Sequence, residues 1–324
     1  MQDDLLGSLR HVAEVGPVAL GALLAAPMAV LASGRSLGPE AFGLYYQLVE
    51  HLLSGELDEA LKVGRQLASC PARPAPACWR VMGRGSAQAR GLDAILDQRL
   101  GHEATDFSPI AGEKVVAFER LLRDALALLA EGLPPLHEEL TAMVSDVLLA
   151  QAPPGASVEF DGASHYQFWG LLLLNPKHHR DRLAVAEVLA HESGHSVLFG
   201  MCREQVLSDN ADEERYPSPL RVDPRPMDGI IHATYVSARM AWAMESLAES
   251  GCLSPAERTA ALQAAADDRR RFHAGLSTVD EHARLTVLGR EVIEGARAWI
   301  QRSSQLTTRR GRDHRPENEG RPVP

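Results

Sequence analysis

A mainly helical protein with a small β element, an α+β chain, is what the sequence predicts. Ala and Leu are abundant and aromatic residues make up only 5%, a balance that favours helix over sheet. Apolar residues recur at three- and four-residue spacings through most of the chain, the period of an amphipathic helix. Only the neighbourhood of residues 158–174 offers strand-like runs.

In chain order, Leu5 to Ser69 reads as helical, with Leu44, Leu48, His51 and Leu52 on one face. Its apolar stretch Pro17–Ala32 is short for a bilayer and holds two prolines. It follows Asp3 and Asp4, the reverse of a secretory leader, so it is expected to be a buried helix. Residues 71–90, rich in Pro, Gly and Arg, read as a connection. Val115–Glu131 is helical and stops at Gly132 with Pro134 and Pro135 behind it. His137–Ala150 is expected to be helical too. Val158–Phe160 and Tyr166–Leu174 are the strand candidates, with Asp161-Gly162 as the turn between them. A helix follows from about Asp181 to Met201, then an acidic and proline-rich irregular stretch. A helix over Met227–Ser250 closes at Gly251. Ser254-Pro255-Ala256-Glu257 is a capping box that opens a helix to about Ala274. A last helix covers Thr286–Arg302. The expected organisation is a helical N-terminal region over 1–150, a metal-binding catalytic domain over 151–302, and a disordered polar tail over 303–324.

Bulk composition narrows the function. The net charge is −10 and the pI about 5.7, so no basic field attracts a phosphate backbone and nucleic-acid binding is not expected. No membrane span is visible. Cys70, Cys78, Cys202 and Cys252 form no Cys-x-x-Cys pair. Four thiols in so long a chain read as inert core residues of a cytoplasmic protein.

The chemical signal is His191-Glu192-Ser193-Gly194-His195. Positions four apart stand on one helix face, so Ala184, Val188, His191, His195 and Phe199 make one stripe and two imidazoles can share an ion. The bland alternative is a pair of hydrogen-bonded core histidines. A strand followed by this helix is the order zincin-type folds use. A third ligand must come from elsewhere. His232 is the first candidate, with Asp228 one turn before it and Glu245 further along the same helix. Glu245 is turned about 220° from His232 and so faces another way. Arg239 lies nearly two turns beyond His232 on its face, and Arg225 just precedes the helix. Either guanidinium suits a carboxylate held at the metal. The ordinary alternative for both is a surface ion pair. His178 and His179 are read as loop residues.

The motif, followed by Asp223-Pro224-Arg225-Pro226-Met227-Asp228-Gly229-Ile230-Ile231-His232, resembles the HExxH-type 2-oxoglutarate-dependent peptide β-hydroxylases, bacterial proteins associated with ribosomally synthesised, modified peptides. The resemblance covers about residues 155–250. It implies Fe(II), with 2-oxoglutarate and O2 as cosubstrates, and a precursor peptide as substrate. Carried over, His191 and His195 are iron ligands and His232 the best match for the third. An all-histidine set departs from the usual two-His-one-carboxylate face, which keeps Asp228 open. Residues 1–150 lie outside the resemblance; peptide recognition is the role expected of them.

Two mechanisms follow from one motif. In an oxygenase, Arg239 or Arg225 holds the distal carboxylate of the keto acid, and Glu192 orients a ligand or a polar group of the substrate. In a zinc metallopeptidase, Glu192 is the general base that takes a proton from metal-bound water. A third class, a non-catalytic peptide-binding or scaffold protein, uses neither.

Overall fold

The computed structural model describes residues 1–73, 79–156 and 159–313, with the backbone alone for 303–313. Cys78, Val158 and the last part of the expected tail, 314–324, lie outside the described residues. The described residues are 66% helical, with a four-stranded mixed sheet. It divides into two compact units, one of Met1–Arg203 and Ala243–Leu262, the other of Glu204–Trp242 and Gln263 onward.

The first unit opens with four helices: α1 (Gln2–Val15), α2 (Val18–Ala32), α3 (Pro39–Leu53) and α4 (Leu57–Ala68). Pro17 stands immediately before α2, and Pro39 opens α3, where a missing N–H costs nothing. The apolar 17–32 stretch is a helix as expected, but only one stripe of it is buried; Val18, Ala22, Ala25 and Ala29 are exposed. Its Leu20, Leu24 and Leu31 pack in one cluster with Leu9, Leu48 and Leu67. Each fully buried leucine contributes about 1.5–3 kcal/mol of transfer free energy. No helix among the described residues is long and apolar enough to cross a membrane.

The sheet is built from β1 (Arg80–Gly83), β2 (Asp146–Leu149), β3 (Gly162–Ala163) and β4 (Leu171–Leu174), in the order β1-β2-β4-β3. The first three neighbours run parallel, and β3 pairs antiparallel with β4 at the edge. Parallel partners need a long crossover. Between β1 and β2 it is made of α5 (Arg90–Leu100), α6 (Gly112–Gly132) and α7 (Pro134–Met143). Central strands buried on both faces read as unbroken apolar runs, and every residue of β2 and β4 is buried. The sheet therefore draws on both sides of residue 150.

Several expected elements are corrected here. Residues 71–90 contain a strand, β1. The helix expected over His137–Ala150 begins at Pro134 and ends at Met143, and Asp146–Leu149 is a central strand. Tyr166–Phe168 is a single 3-10 turn, so β4 begins only at Leu171. Gly162 lies in a strand, not in the turn.

A buried ion network locks the start of the sheet. Asp146 is fully buried and accepts from Arg80 (2.5 Å), Arg73 (2.7 Å) and Ser145 (2.8 Å). The same two arginines bind Glu40 in the first turn of α3. Burial pushes the Asp146 carboxyl above its ordinary value, against the pull of Arg73 and Arg80.

After β4 the chain enters α8 (Arg182–Met201), which carries the histidine motif. Asp181 caps it, accepting from the N–H groups of Leu183 (3.0 Å) and Ala184 (2.9 Å). The helix packs on α6 and α7. The remaining helices are α9 (Met227–Glu249), α10 (Pro255–His282) and α11 (Val287–Asp313); α9 and α10 each continue from one unit into the other. Ser254 and Glu257 form the expected capping box, with Ser254 N–H to Glu257 Oε2 at 2.9 Å and Glu257 N–H to Ser254 Oγ at 3.3 Å. Helix α10 runs past Ala274, and α11 continues through residues 303–313, part of the expected tail.

Within the second unit, Ile230, Ile231, Val236, Phe272, Ile293 and Ile300 are buried. Asn210 ties the irregular segment down. Its side chain donates to the carbonyl of His282 (3.0 Å) and accepts from the N–H of Arg284 (2.8 Å).

Candidate metal centre

Helix α8 places His191 and His195 on one face, as the spacing requires. Their Nε2 atoms are 3.1 Å apart and the ring centroids 4.9 Å apart at 68°. Two nitrogens that share one divalent ion at about 2.1 Å each come to such a separation. It also suits a hydrogen bond in which one ring donates and the other accepts. The neighbouring carboxyl weighs for an ion. Glu192 Oε1 lies 3.8 Å from His191 Nε2, and its side chain is only 2% exposed. Its Oε2 is sealed from solvent without a hydrogen-bond partner. Such a carboxyl is costly only when charged and without a cation or donor, and the Ser164 hydroxyl is a donor beside it.

Burial pushes the Glu192 carboxyl up to about 8. The Ser164 hydroxyl works the other way, while the charge of Asp161 adds to the rise. A cation held beside the carboxyl would reverse that balance and favour the carboxylate. Phe199, one turn beyond His195, stacks on its ring at 6.4 Å and 22°, and meets Tyr166 at 6.4 Å. The face that carries Ala184, Val188, His191, His195 and Phe199 thus ends in an aromatic brace.

The other candidates are distributed over the two units. In the second unit, His232 is buried, with Nε2 3.7 Å from Asp228 Oδ2 one turn away. Burial lowers its pKa, against the pull of Asp228, and so favours the neutral imidazole that a metal needs. Arg239 lies over the rings of Tyr235 (5.9 Å) and Trp242 (5.4 Å). Arg225 pairs with Asp223 at 2.8 Å, and its backbone bridges to Tyr216. Glu245 is half-buried on the part of α9 that belongs to the first unit. Among the described residues no group of three or more His, Cys, Asp and Glu side chains is set to hold an ion.

Three residues at this site escape sequence reasoning. Gly162 touches Glu192 across the edge of the sheet, Ser164 bears on its charge, and His179 fastens the chain beside them. His179 lies in the loop before α8, as expected, but is buried there and donates from Nε2 to the carbonyl of Asp161 at 3.1 Å. Nothing in the local pattern marks these residues, because each acts through a partner distant in sequence.

A separate hollow of about 450 Å³ opens after β1, lined by Arg84, Asp93, Asp97 and Phe107 among others. Its arginine is already held by the two aspartates. The motif histidines do not line it.

No known protein-family model matches the chain, and no curated protein is similar enough to count as a relative.

Proposed function

We propose that this protein is a cytoplasmic Fe(II)- and 2-oxoglutarate-dependent oxygenase that hydroxylates a side-chain β-carbon of a ribosomally made peptide, on a zincin-like arrangement of strand and motif helix. The observation that carries a metal role is the 3.1 Å separation of the His191 and His195 Nε2 atoms beside a buried, half-satisfied Glu192 carboxyl. The motif's resemblance to peptide β-hydroxylases selects iron and the keto acid.

In this reading His191 and His195 supply two ligands and His232 the third, with Asp228 and Glu245 as the carboxylate alternatives. When bound, the iron supplies O2 activation coupled to oxidative decarboxylation of the keto acid. The chain's own residues do the positioning. Phe199 braces the His195 ring, and Glu192 orients the His191 side of the site. Arg239, on the His232 face of α9, or Arg225 binds the distal carboxylate of 2-oxoglutarate. Residues 1–150 are assigned to peptide recognition.

Release of succinate from 2-oxoglutarate under iron, ascorbate and air, in the presence of a precursor peptide, tests this reading. No succinate above the level of a His191→Ala, His195→Ala control counts against it.

One observation favours a second reading, a zinc metallopeptidase. The Glu192 carboxyl stands 3.8 Å from a motif nitrogen, close to where a base for metal-bound water belongs. Cleavage of a peptide by the zinc-loaded chain, without keto acid or O2, would select it.

A further inference from the structure

Gly162 is the first residue of edge strand β3 and pairs with Leu174 of β4. On its other side lies Glu192. A Cβ added at Gly162 would stand 2.6 Å from Glu192 Oε1 and 3.1 Å from both Cδ and Cγ. These are well inside the roughly 3.5–4.0 Å at which such atoms attract. On an open surface a carboxyl would swing aside. Glu192 has no open surface to reach, since its side chain is 2% exposed.

The opposite wall is held as well. The Asp161 carbonyl accepts from the backbone N–H of Asn175 (2.9 Å) and from His179 Nε2 (3.1 Å). The Phe160 carbonyl accepts from the Asn175 side chain at 3.0 Å. Asn175 follows directly on β4 and is itself buried. The strand edge is thus fastened to the sheet, while α8 holds Glu192 from the other side. A side chain at position 162 has to displace the carboxyl.

We propose that Gly162 is a positioning residue of the metal centre: its missing side chain seats the Glu192 carboxyl beside His191, and Asn175 with His179 hold the strand edge that forms the seat. The inference rests on the metal reading of His191 and His195, whichever chemistry follows. A carboxyl beside a ligand tunes the ligand's orientation and basicity. Loss of such outer partners weakens metal binding by about 10–100-fold.

The test uses the full chain with Co2+ alone as probe, read by titration and by the visible spectrum, together with the thermal midpoint of the metal-free protein. Gly162→Ala is expected to weaken Co2+ binding at least tenfold, alter the spectrum and lower the midpoint. Glu192→Asp draws the carboxyl back by one methylene. Placed on the Gly162→Ala chain, it should relieve the clash and restore most of the lost midpoint, a strongly non-additive pair. A Gly162→Ala chain that binds Co2+ with wild-type affinity and spectrum overturns the proposal. So does simple addition of the two losses, or a double variant that still fails to fold. Failure of the metal reading shows earlier and separately, as a wild-type chain that binds no Co2+ or binds it equally well without His191 and His195.

Discussion

Arg182 and Glu257 form a two-pronged ion pair, Nε to Oε1 at 2.8 Å and Nη2 to Oε2 at 3.1 Å, that joins the first turn of the motif helix α8 to the first turn of α10. The Arg182 hydrogen bonds, with those of Ser254, hold the Glu257 carboxyl down at about 2. A carboxylate depressed in the folded state stabilises the fold above its unfolded pKa, and that contribution fades as pH falls through the folded value. The window here runs from about 4.5, the ordinary glutamate value, down to about 2. Arg182→Gln should move the Glu257 titration up toward the ordinary range and flatten the acid side of the stability curve in that window. An unchanged Glu257 titration, followed by NMR, would show that the pair is incidental.

Removal of either motif imidazole should abolish metal-dependent stabilisation. A ligand present at a hundred times its Kd raises stability by about 2.7 kcal/mol. The wild-type chain should therefore melt higher with Zn2+ or anaerobic Fe2+, and His191→Ala or His195→Ala should not. Metal affinity is expected to fall about a hundredfold or more in each. Equal melting shifts in wild type and variants would return the pair to the status of two core histidines.

Glu192→Gln separates the two chemistries. The amide keeps the shape of the buried side chain but cannot accept a proton. A general base contributes about 10²–10⁴-fold, so peptidase turnover should drop by that factor. Succinate-forming turnover should persist in part, because there Glu192 orients and does not transfer a proton. Keto-acid turnover lost as completely as peptide cleavage would overturn the assigned role.

Asp146→Ala should destabilise the chain strongly. It strips a fully buried carboxylate from Arg73 and Arg80 at the first residues of two paired strands. Breaking a buried ion pair by removing one partner costs about 3–5 kcal/mol. The urea midpoint should fall accordingly, with metal affinity of the folded fraction unaffected. A loss below about 1 kcal/mol would mean the network behaves as a surface pair.

What the sequence by itself determined is most of the helices and the spacing of the motif histidines. A helix bonds each N–H to a carbonyl four residues back, so its limits are written locally. Asp181 before α8, Gly132 at the end of α6 and the Ser254–Glu257 box all stand where the chain turns into or out of a helix. The spacing of His191 and His195 likewise decides that their rings share a face. Strands β1 and β2 were illegible for the opposite reason. Each finds its hydrogen-bond partners far away in the chain, as Arg80 finds Asp146 across 66 residues. Asp146–Leu149 looked like the last turn of a helix, and Arg80–Gly83 was hidden in a stretch of prolines, glycines and arginines. Only the tertiary structure decided that Gly162 lies in a strand against Glu192, that His179 fastens that strand, and that the carboxyl is buried. Those are contacts between segments brought together by the sheet, and no local pattern encodes them.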